Sequence, residues 1–400
     1  MQPRMGVSDL KKMGQGLRAV SNLPFPVVAT ITIDSFTRNL ELQELNQVLK
    51  EGHELNGFPL ITYGSEALQE MIKTYTRPDL LVQVRHGSPL PLTLFKVMAE
   101  GGIYHSEGGP LSYCLPYSRV PIEQTIENWK KSLLFLSQYP LAHMESFGGC
   151  MLGQLCHPSL LIAVAVLEGM FFEQCGIRDI SLSYAQGTHT MQDLAALRVL
   201  GECAQQYLDG CRVHRVLYTY MGMYPVTPAG ARALLKESVR LAKLGGVERL
   251  VVKTEVESIR IPTFDENINA LITAHRTSES KEMLGGVVFD EDEYDRIKLQ
   301  AHSIIRAVLS LDRCVGKALE MALHSGMIDI PYCLHPQNKN NARCGIDARG
   351  YLQWISPGNI PLDTKTISPY FGRGFKLSPD GFINMLSYMQ KKFDGDMCKT

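Results

Sequence analysis

The 400-residue sequence lacks the features that mark several classes of protein. Residues 1–20 contain no apolar stretch of the kind found in secretory signal peptides, so we expect a cytoplasmic protein. The most apolar run, residues 160–172, is too short to cross a bilayer and contains Glu168, which predicts a buried helix. The formal net charge is only −1, so no overall charge favours nucleic acid or a membrane surface as a partner.

Motifs for common cofactors are also missing. No Gly-x-Gly-x-x-Gly follows the first predicted strand and no P-loop occurs, which argues against a dinucleotide or a nucleoside triphosphate. The ten cysteines have no regular spacing, and no CxxC pair accompanies Cys333, His335 and Cys344. We therefore predict reduced thiols and no metal site.

Over residues 1–275, short apolar runs alternate with longer helical patterns. Eight runs are predicted strands: Val27–Asp34, Gly57–Gly64, Leu80–Gly87, Gly102–Glu107, Met144–Gly149, Asp179–Ala185, Arg215–Met221 and Glu248–Val256. Seven segments are predicted helices: Leu40–Leu55, Ser65–Thr76, Leu90–Glu100, Pro121–Tyr139, Pro158–Cys175, Met191–Leu208 and Ala229–Leu244. Repeated strand–helix units predict parallel strands, and eight of them fit a (β/α)8 TIM barrel. A doubly wound open sheet is the alternative.

The pattern changes beyond the barrel. Two long helices are predicted at Glu291–Leu311 and Val315–Ser325, and a last helix at Gly381–Lys392. The intervening stretch Asp329–Asp380 is rich in Pro, Gly and Asn and is predicted to be mostly loop. We therefore divide the chain into an α/β barrel, residues 1–275, and a C-terminal helical and loop-rich extension, residues 276–400.

The working residues of a TIM barrel lie where the strands end. Arg38 follows the first predicted strand, Arg85 and His86 close the third, and Glu107 closes the fourth. Arginines that converge on one opening repel each other unless an anion joins them, so the pattern predicts a small dianionic ligand. Structural salt bridges to nearby acids are the alternative, and Glu107 could equally hold an ammonium group, move a proton or pair with an arginine.

Lys253 lies inside an apolar strand. Burying a charged amine there is unfavourable unless a partner compensates it. Lys253 could form a Schiff base with a carbonyl, bind a ligand beside Glu257, or pair with an inward-facing acid. Tyr113 and Tyr117, four residues apart, could contact a substrate or only pack.

Beyond these single residues, nine segments in order resemble the large (epsilon, or E) chain of glutamate mutase, also called methylaspartate mutase. They are QPRMGV (2–7), TIDSFTR (32–38), LNGFP (55–59), QVRHG (83–87), SEGGPLSYCLPY (106–117), MQDLAALR (191–198), MGMYP (221–225), VVKTEVESIRIPT (251–263) and GMIDIP (326–331). The likeness runs from Gln2 to about Pro361.

The resemblance implies a (β/α)8 barrel and an isomerase that interconverts glutamate, or a close analogue, and 3-methylaspartate by an adenosylcobalamin-dependent radical mechanism. It implies that Glu107 is the catalytic acid–base group at the substrate amine. The implied substrate-binding residues are Arg4, Arg38, Arg85, His86, Tyr113 and Tyr117. The implied cofactor-binding residues are Lys253 and Glu257 at the adenosyl group, and Thr32, Pro116, Met221 and Gly222 facing the corrin.

The cobalamin-binding motif Asp-x-His-x-x-Gly is absent from the chain. The resemblance therefore implies a separate small cobalamin-binding subunit, in a heterotetramer built on a homodimer of the large chain. Two other functions stay open: a lyase or aldolase that uses Lys253 as a Schiff-base nucleophile, and a non-catalytic barrel scaffold.

Overall fold

The computed structural model describes residues 1–147, 155–280, 289–372 and 375–395. Within these residues, seven parallel strands form one sheet in which each strand pairs with the next along the chain. The strands are β1 (Val28–Thr32), β2 (Leu81–Arg85), β3 (His105–Glu107), β4 (His143–Phe147), β5 (Asp179–Ala185), β6 (Arg212–Tyr218) and β7 (Arg249–Val251). Parallel neighbours joined by crossovers place all carboxyl ends at one edge, which is where the site lies.

Helices fill the crossovers, as the alternating pattern predicts. They are α1 (Leu10–Ser21), α2 (Ser35–Asn39), α3 (Leu42–Lys50), α4 (Leu60–Tyr75), α5 (Leu92–Glu100), α6 (Cys114–Tyr117), α7 (Ile122–Leu136), α8 (Pro158–Gln174), α9 (Thr190–Tyr207), α10 (Pro228–Leu244) and α11 (Phe264–Glu279). The predicted buried helix is α8, which is buried on nearly all sides and includes Glu168. A helix that is apolar all round has no solvent face, which explains its continuous hydrophobic run.

The prediction of a closed, eight-stranded barrel is wrong for the described residues. The predicted second strand, Gly57–Gly64, makes a single bridge between Phe58 and Ile33, and α4 then begins at Leu60. Pro59 has no N–H to donate to a ladder and a φ suited to a helix start, so the short apolar run becomes the entrance to a helix. The predicted strand end at Gly148 and Gly149 lies outside the described residues.

The N-terminal residues lie between the two edge strands of this curled, TIM-like sheet. Four backbone hydrogen bonds hold them: Gln2 N–H to Leu250 O (3.0 Å), Val252 N–H to Gln2 O (2.8 Å), Val28 N–H to Met1 O (2.9 Å) and Thr32 N–H to Met5 O (2.7 Å). This pairing brings Arg4 to the level of the strand ends. The edge groups of β1 and β7 are thereby partly satisfied without a regular eighth strand.

The C-terminal part contains more regular structure than the loop-rich sequence predicts. Its elements are α12 (Glu291–Leu309), α13 (Val315–Ser325), an antiparallel hairpin of β8 (Arg343–Ile346) and β9 (Leu352–Ser356), a 3-10 turn at Thr364–Thr366, α14 (Pro379–Leu386) and α15 (Tyr388–Asp394). α12 packs on α8 and α9, and α15 packs on α10. The division at residue 275 stays a prediction. Among the described residues, no helix combines the length and the apolar character that crossing a membrane requires.

The close approach of Gly57 to β1 gives a test of this packing. A β-carbon on Gly57 would lie 2.5 Å from the backbone nitrogen of Asp34, and backbone cannot move aside as a side chain can. We expect Gly57→Ala to lower the free energy of unfolding by about 2 kcal/mol or more, measured by chemical denaturation. Gly372→Ala is the control, because nothing lies within 4 Å of the β-carbon added there. Equal stability of the two variants would contradict this placement of residues 55–59.

Candidate functional site

A buried ion pair occupies the inside of the sheet at its carboxyl edge. Arg85, the last residue of β2, donates from Nε to Glu107 Oε1 at 3.0 Å, and Glu107 is the last residue of β3. The second carboxylate oxygen of Glu107 accepts a 2.5 Å hydrogen bond from the hydroxyl of Tyr218, at the end of β6. All three side chains are almost fully buried. Nε is the only hydrogen-bonding nitrogen of Arg85 within the described residues, which leaves its two terminal nitrogens for a ligand.

Burial sets the protonation of this pair. Removal from water raises the pKa of Glu107, and the opposing pull of Arg85 does not cancel that rise. Burial also disfavours the charged form of Arg85, but the charges of Glu107 and the neighbouring tyrosines outweigh it and its pKa stays well above the ordinary value. Arg85 is therefore a fixed cation, whereas Glu107 can exchange a proton closer to neutral pH than an ordinary glutamate.

Two stacked tyrosines connect this pair to a second arginine. Tyr113 comes directly before the short helix α6 and Tyr117 is its last residue. Their rings stack with centroids 5.7 Å apart. Arg85 lies 5.8 Å from the ring of Tyr113, and Arg38 lies 4.6 Å from the ring of Tyr117. The predicted convergence of Arg38 and Arg85 at one opening therefore runs through a shared aromatic wall.

Arg38 has no acidic partner in the part of the chain that the structure describes. Its guanidinium forms no ion pair within residues 1–147, 155–280, 289–372 and 375–395, and its buried Nε has no hydrogen-bond acceptor. Burying a hydrogen-bonding group of a cation without an acceptor is unfavourable unless a ligand supplies one. The structural alternative for this residue, a salt bridge to a nearby loop acid, is not what the structure shows.

A second charged cluster lies beside the first. Glu257 pairs with Arg4 and with Lys253, whose Nζ lies 3.2 Å from Glu257 Oε1. The Lys253 amine also lies 5.1 Å from the ring of Tyr224. Because burial outweighs the attraction of Glu257, the pKa of Lys253 falls to about 8. The Nε of Arg4, like that of Arg38, is buried without a partner.

This cluster opens into a cavity of about 440 Å³ at the sheet edge. Its lining combines charged groups with a strip of apolar surface. The predicted site residues that line it are Arg4, Tyr117, Met221, Gly222, Lys253 and Glu257. A cavity of this kind can receive a flat polar group against its charged wall and an apolar ring against its methionine side.

Comparison with known proteins bears on what this cavity serves. The family model of the methylaspartate mutase E chain (MutE) matches residues 1–370. The chain belongs to this family. Three similar proteins are named glutamate mutase epsilon subunit. The one from Halobacterium salinarum is 30% identical over 91% of this chain and 79% of its own length. Those from Haloarcula marismortui and Desulfitobacterium hafniense are 30% and 29% identical, over 83% and 90% of this chain and 70% and 78% of their own lengths.

As a member of the methylaspartate mutase E chain family, the chain is a subunit of an isomerase that needs a partner subunit. Seven residues that the resemblance places in the site do not line the cavity of Arg4 and Lys253. Arg38, Arg85, Glu107 and Tyr113 form the neighbouring arginine and tyrosine cluster, and the other three are His86, Thr32 and Pro116. His86 stacks on Trp129 at 5.4 Å, deep behind the strand end, and burial lowers its pKa to about 3. Thr32 is at the end of β1 with its hydroxyl buried and unpaired, and Pro116 lines a neighbouring surface hollow next to Tyr117.

Sequence reasoning on this E chain missed two groups that shape the site. Glu168 on α8 is fully buried and accepts hydrogen bonds from the backbone of Leu111 and from Ser112 and Ser146. It thereby anchors the loop between Glu107 and Tyr113. Tyr218 is the last residue of β6 but lies inside the predicted strand Arg215–Met221, so the strand-end rule applied to the predicted bounds does not select it. Leu111 and Ser112 lie 57 and 56 residues from Glu168 and Ser146 lies 22 residues from it, so no local signal identifies these partners.

Gln390, on α15, also lines the cavity and was not predicted. Its side-chain amide donates to the backbone oxygen of Tyr224 at 3.0 Å. Asp394, at the end of the same helix, accepts from the backbone N–H of Val226 and Thr227 at the start of α10. The C-terminal helix therefore supports the loop that carries Met221 and Gly222.

The lowered pKa of Lys253 predicts a pH-dependent stability. An unfolded lysine titrates near 10.5 and the folded one at about 8, so between these values the unfolded state binds more protons and stability rises with pH. The quantity to follow is the difference in free energy of unfolding between the wild type and Lys253→Met. We expect this difference to rise by about 1 kcal/mol per pH unit between pH 8 and 10. Denaturant titrations at each pH measure it. A difference that stays constant would show that Lys253 keeps an ordinary pKa, and one that falls would show a raised pKa; either would contradict this prediction.

Proposed function

We propose that this chain is the substrate-binding subunit of an adenosylcobalamin-dependent mutase that interconverts glutamate, or a close analogue, and 3-methylaspartate by a radical mechanism. The observation that carries the proposal is Arg38, which has no ion pair among the described residues and lies beside the tyrosine wall shared with Arg85. Membership of the methylaspartate mutase E chain family supports the same reaction.

The charges of the site match a dicarboxylic amino acid. Four cations, Arg4, Arg38, Arg85 and Lys253, face two carboxylates, Glu107 and Glu257, which leaves two positive charges in excess. A ligand with two carboxylates and one ammonium group has a net charge of −1, so it would reduce this excess to one positive charge and supply an anion to Arg38. The ammonium group of the ligand matches Glu107.

In this proposal each arginine has one task. The terminal nitrogens of Arg85 take one carboxylate bidentately, while its Nε stays on Glu107 and fixes the plane of the fork. Arg38 and Arg4 take the second carboxylate through groups that are unpaired in the free chain. Tyr113 and Tyr117 close the side of the pocket and keep water from the reacting carbons.

Glu107 accepts from the substrate ammonium in this scheme. Both of its oxygens already accept one hydrogen bond, from Arg85 and from Tyr218, and each has a second lone pair free. Its raised pKa lets the carboxylate take up a proton from the amine without a large energetic penalty. His86 stays neutral behind Arg85 and acts on the substrate only through the packing of the arginines.

The residues present fit the proposed cofactor. The cavity beside Lys253 has buried unpaired polar atoms around it, among them Arg4 Nε and the hydroxyl of Tyr224. Lys253 and Glu257 would hold the adenosyl group, and Thr32, Pro116, Met221 and Gly222 would face the corrin. When bound, adenosylcobalamin supplies the radical that abstracts a substrate hydrogen. The chain lacks the Asp-x-His-x-x-Gly motif, so we propose that a small cobalamin-binding subunit carries the corrin in a heterotetramer.

A Schiff-base lyase is not favoured. The pKa of about 8 would suit a nucleophilic lysine, but the amine of Lys253 is committed to Glu257 at 3.2 Å. A non-catalytic scaffold would not need Arg38 at its opening, since the buried Nε of this residue, without an acceptor among the described residues, only destabilises the fold.

Substitution of Arg85 tests the proposal. In the complex with the small subunit and adenosylcobalamin, we expect Arg85→Lys to raise KM for glutamate about tenfold or more, because an ammonium group cannot bind a carboxylate bidentately. Steady-state kinetics with analysis of 3-methylaspartate measures the effect. Arg119→Lys is the control, because Arg119 is exposed and lines the neighbouring surface hollow but not the cavity of Lys253. No product from glutamate in the loaded wild-type complex, or an unchanged KM in Arg85→Lys, would refute the proposed function.

A further inference from the structure

A cluster of imidazole and carboxylate groups lies at the opposite, amino edge of the sheet. His143 begins β4, Asp179 begins β5 and His214 is the third residue of β6. Asp179 Oδ1 lies within hydrogen-bond distance of two ring nitrogens, His143 Nδ1 at 2.6 Å and His214 Nε2 at 3.1 Å. The mutase reaction proposed above takes place at the other edge and uses none of these groups.

The strand register explains why they meet. His143 is directly opposite Asp179 on the neighbouring strand, and Ser181, two residues further along β5, is opposite His214. Residues two apart on a strand project from the same face, so all four side chains point to the inside of the curled sheet. The cluster is therefore fixed by backbone pairing and does not depend on a flexible loop.

The geometry is that of a preformed metal site. Three ligand atoms, one from each of His143, Asp179 and His214, lie within 4.8 Å of one another. Atoms bound to one Zn²⁺ at its usual distances are separated by roughly 3.3 Å, so small rotations would place a cation among them. We propose that His143, Asp179 and His214 bind a divalent transition-metal ion of the Zn²⁺ type.

The surroundings support these three ligands. The other ring nitrogen of His143 lies 3.1 Å from the hydroxyl of Ser181, which Arg249 also contacts at 3.1 Å. Such an outer contact fixes the tautomer of a metal-bound imidazole, so Nδ1 is left for the ion. The cluster opens to a cavity of about 430 Å³ that has room for a water as the fourth ligand.

The charge balance also permits a cation. Two imidazoles and one carboxylate are ligand types that Zn²⁺ binds, and the carboxylate supplies a negative charge to the cation. Arg212 lies 3.5 Å from the other oxygen of Asp179, but its side chain is 77% exposed and can turn away. Glu248 lines the same cavity, and Arg249 is neutralised by Glu145.

A metal here would join β4, β5 and β6 at their amino ends. Because an unfolded chain holds no such site, binding would stabilise the folded state in proportion to occupancy. The effect on mutase chemistry should be small, since the ligands are at the far edge from Arg85 and Lys253. Stability and spectroscopy therefore test the site without any need for the assembled enzyme.

The test is titration of the full-length chain with Co²⁺ and Zn²⁺. We expect one equivalent of Co²⁺ to give visible d–d absorption, one equivalent of Zn²⁺ to displace it, and Zn²⁺ to raise the melting temperature. His214→Ala and Asp179→Asn should each weaken binding at least tenfold, as judged by competition with a chromophoric chelator. His324→Ala is the control, because His324 belongs to a separate, exposed group with Glu123 and Glu320.

Three results would overturn the proposal. In the first, the wild type binds less than one equivalent of metal. In the second, His214→Ala and Asp179→Asn still bind one equivalent of metal. In the third, the Co²⁺ spectrum shows an intense thiolate charge-transfer band, which would assign the ion to cysteines. Near-wild-type melting temperatures of the metal-free variants show that they are folded. If His214→Ala does not fold, Asp179→Asn, which is nearly isosteric, decides the question.

Discussion

The buried contact between Arg85 and Glu107 is the constraint on which the site depends. An ion pair inside a sheet is unfavourable unless its geometry is good and its remaining groups are satisfied. Here the parallel register of β2 and β3 sets the two residues side by side, and Tyr218 satisfies the second oxygen of Glu107. The arginine fork is thereby held in one plane before any ligand arrives, which reduces the entropy lost on binding.

Much of the inside of the sheet is polar, unlike the apolar filling expected of a TIM barrel, and its apolar side chains form one cluster that includes Phe147, Val216 and Val251. Below the Arg85 pair, a hydrogen-bonded layer links Gln2 to Gln83 at 2.8 Å and Gln83 to Glu145 at 3.0 Å. Arg249 binds Glu145 in the same layer. Below it lie His143 and its neighbours. Among the described residues this network is paired except at Gln2 Oε1, which is buried without a hydrogen-bond partner. The network separates the carboxyl edge from the amino edge by several side chains.

This hydrogen-bonded layer also fixes the position of the N-terminal segment. Gln2 donates to Thr30 and Gln83 from one amide, while its backbone pairs with β7. The segment is thus fixed both by ladder-type hydrogen bonds and by the buried network, and Arg4 follows two residues later. The position of Arg4, the third arginine of the opening, is therefore set mainly by the contacts of Gln2.

The sequence predicts some parts of the fold and of the candidate site better than others. The rule that strand ends carry function placed Arg38, Arg85 and Glu107 correctly at one edge, because the strand signal of β1 to β3 is strong. Arg4 was accessible only through the resemblance, since no strand precedes it. The Gly57–Gly64 segment was assigned the wrong structure, because a short apolar run before a helix has no period that distinguishes it from a strand. The amino-edge histidines are spread over seventy residues, so their meeting depends on register, which composition does not encode.

The most direct test of the central claim is a crystal structure of the assembled enzyme with glutamate bound. The account predicts that both terminal nitrogens of Arg85 contact one substrate carboxylate at about 2.8 Å, that Arg38 contacts the other, and that the amine lies against Glu107. Glutamate bound elsewhere, or bound here with Arg38 still unpaired, would contradict it.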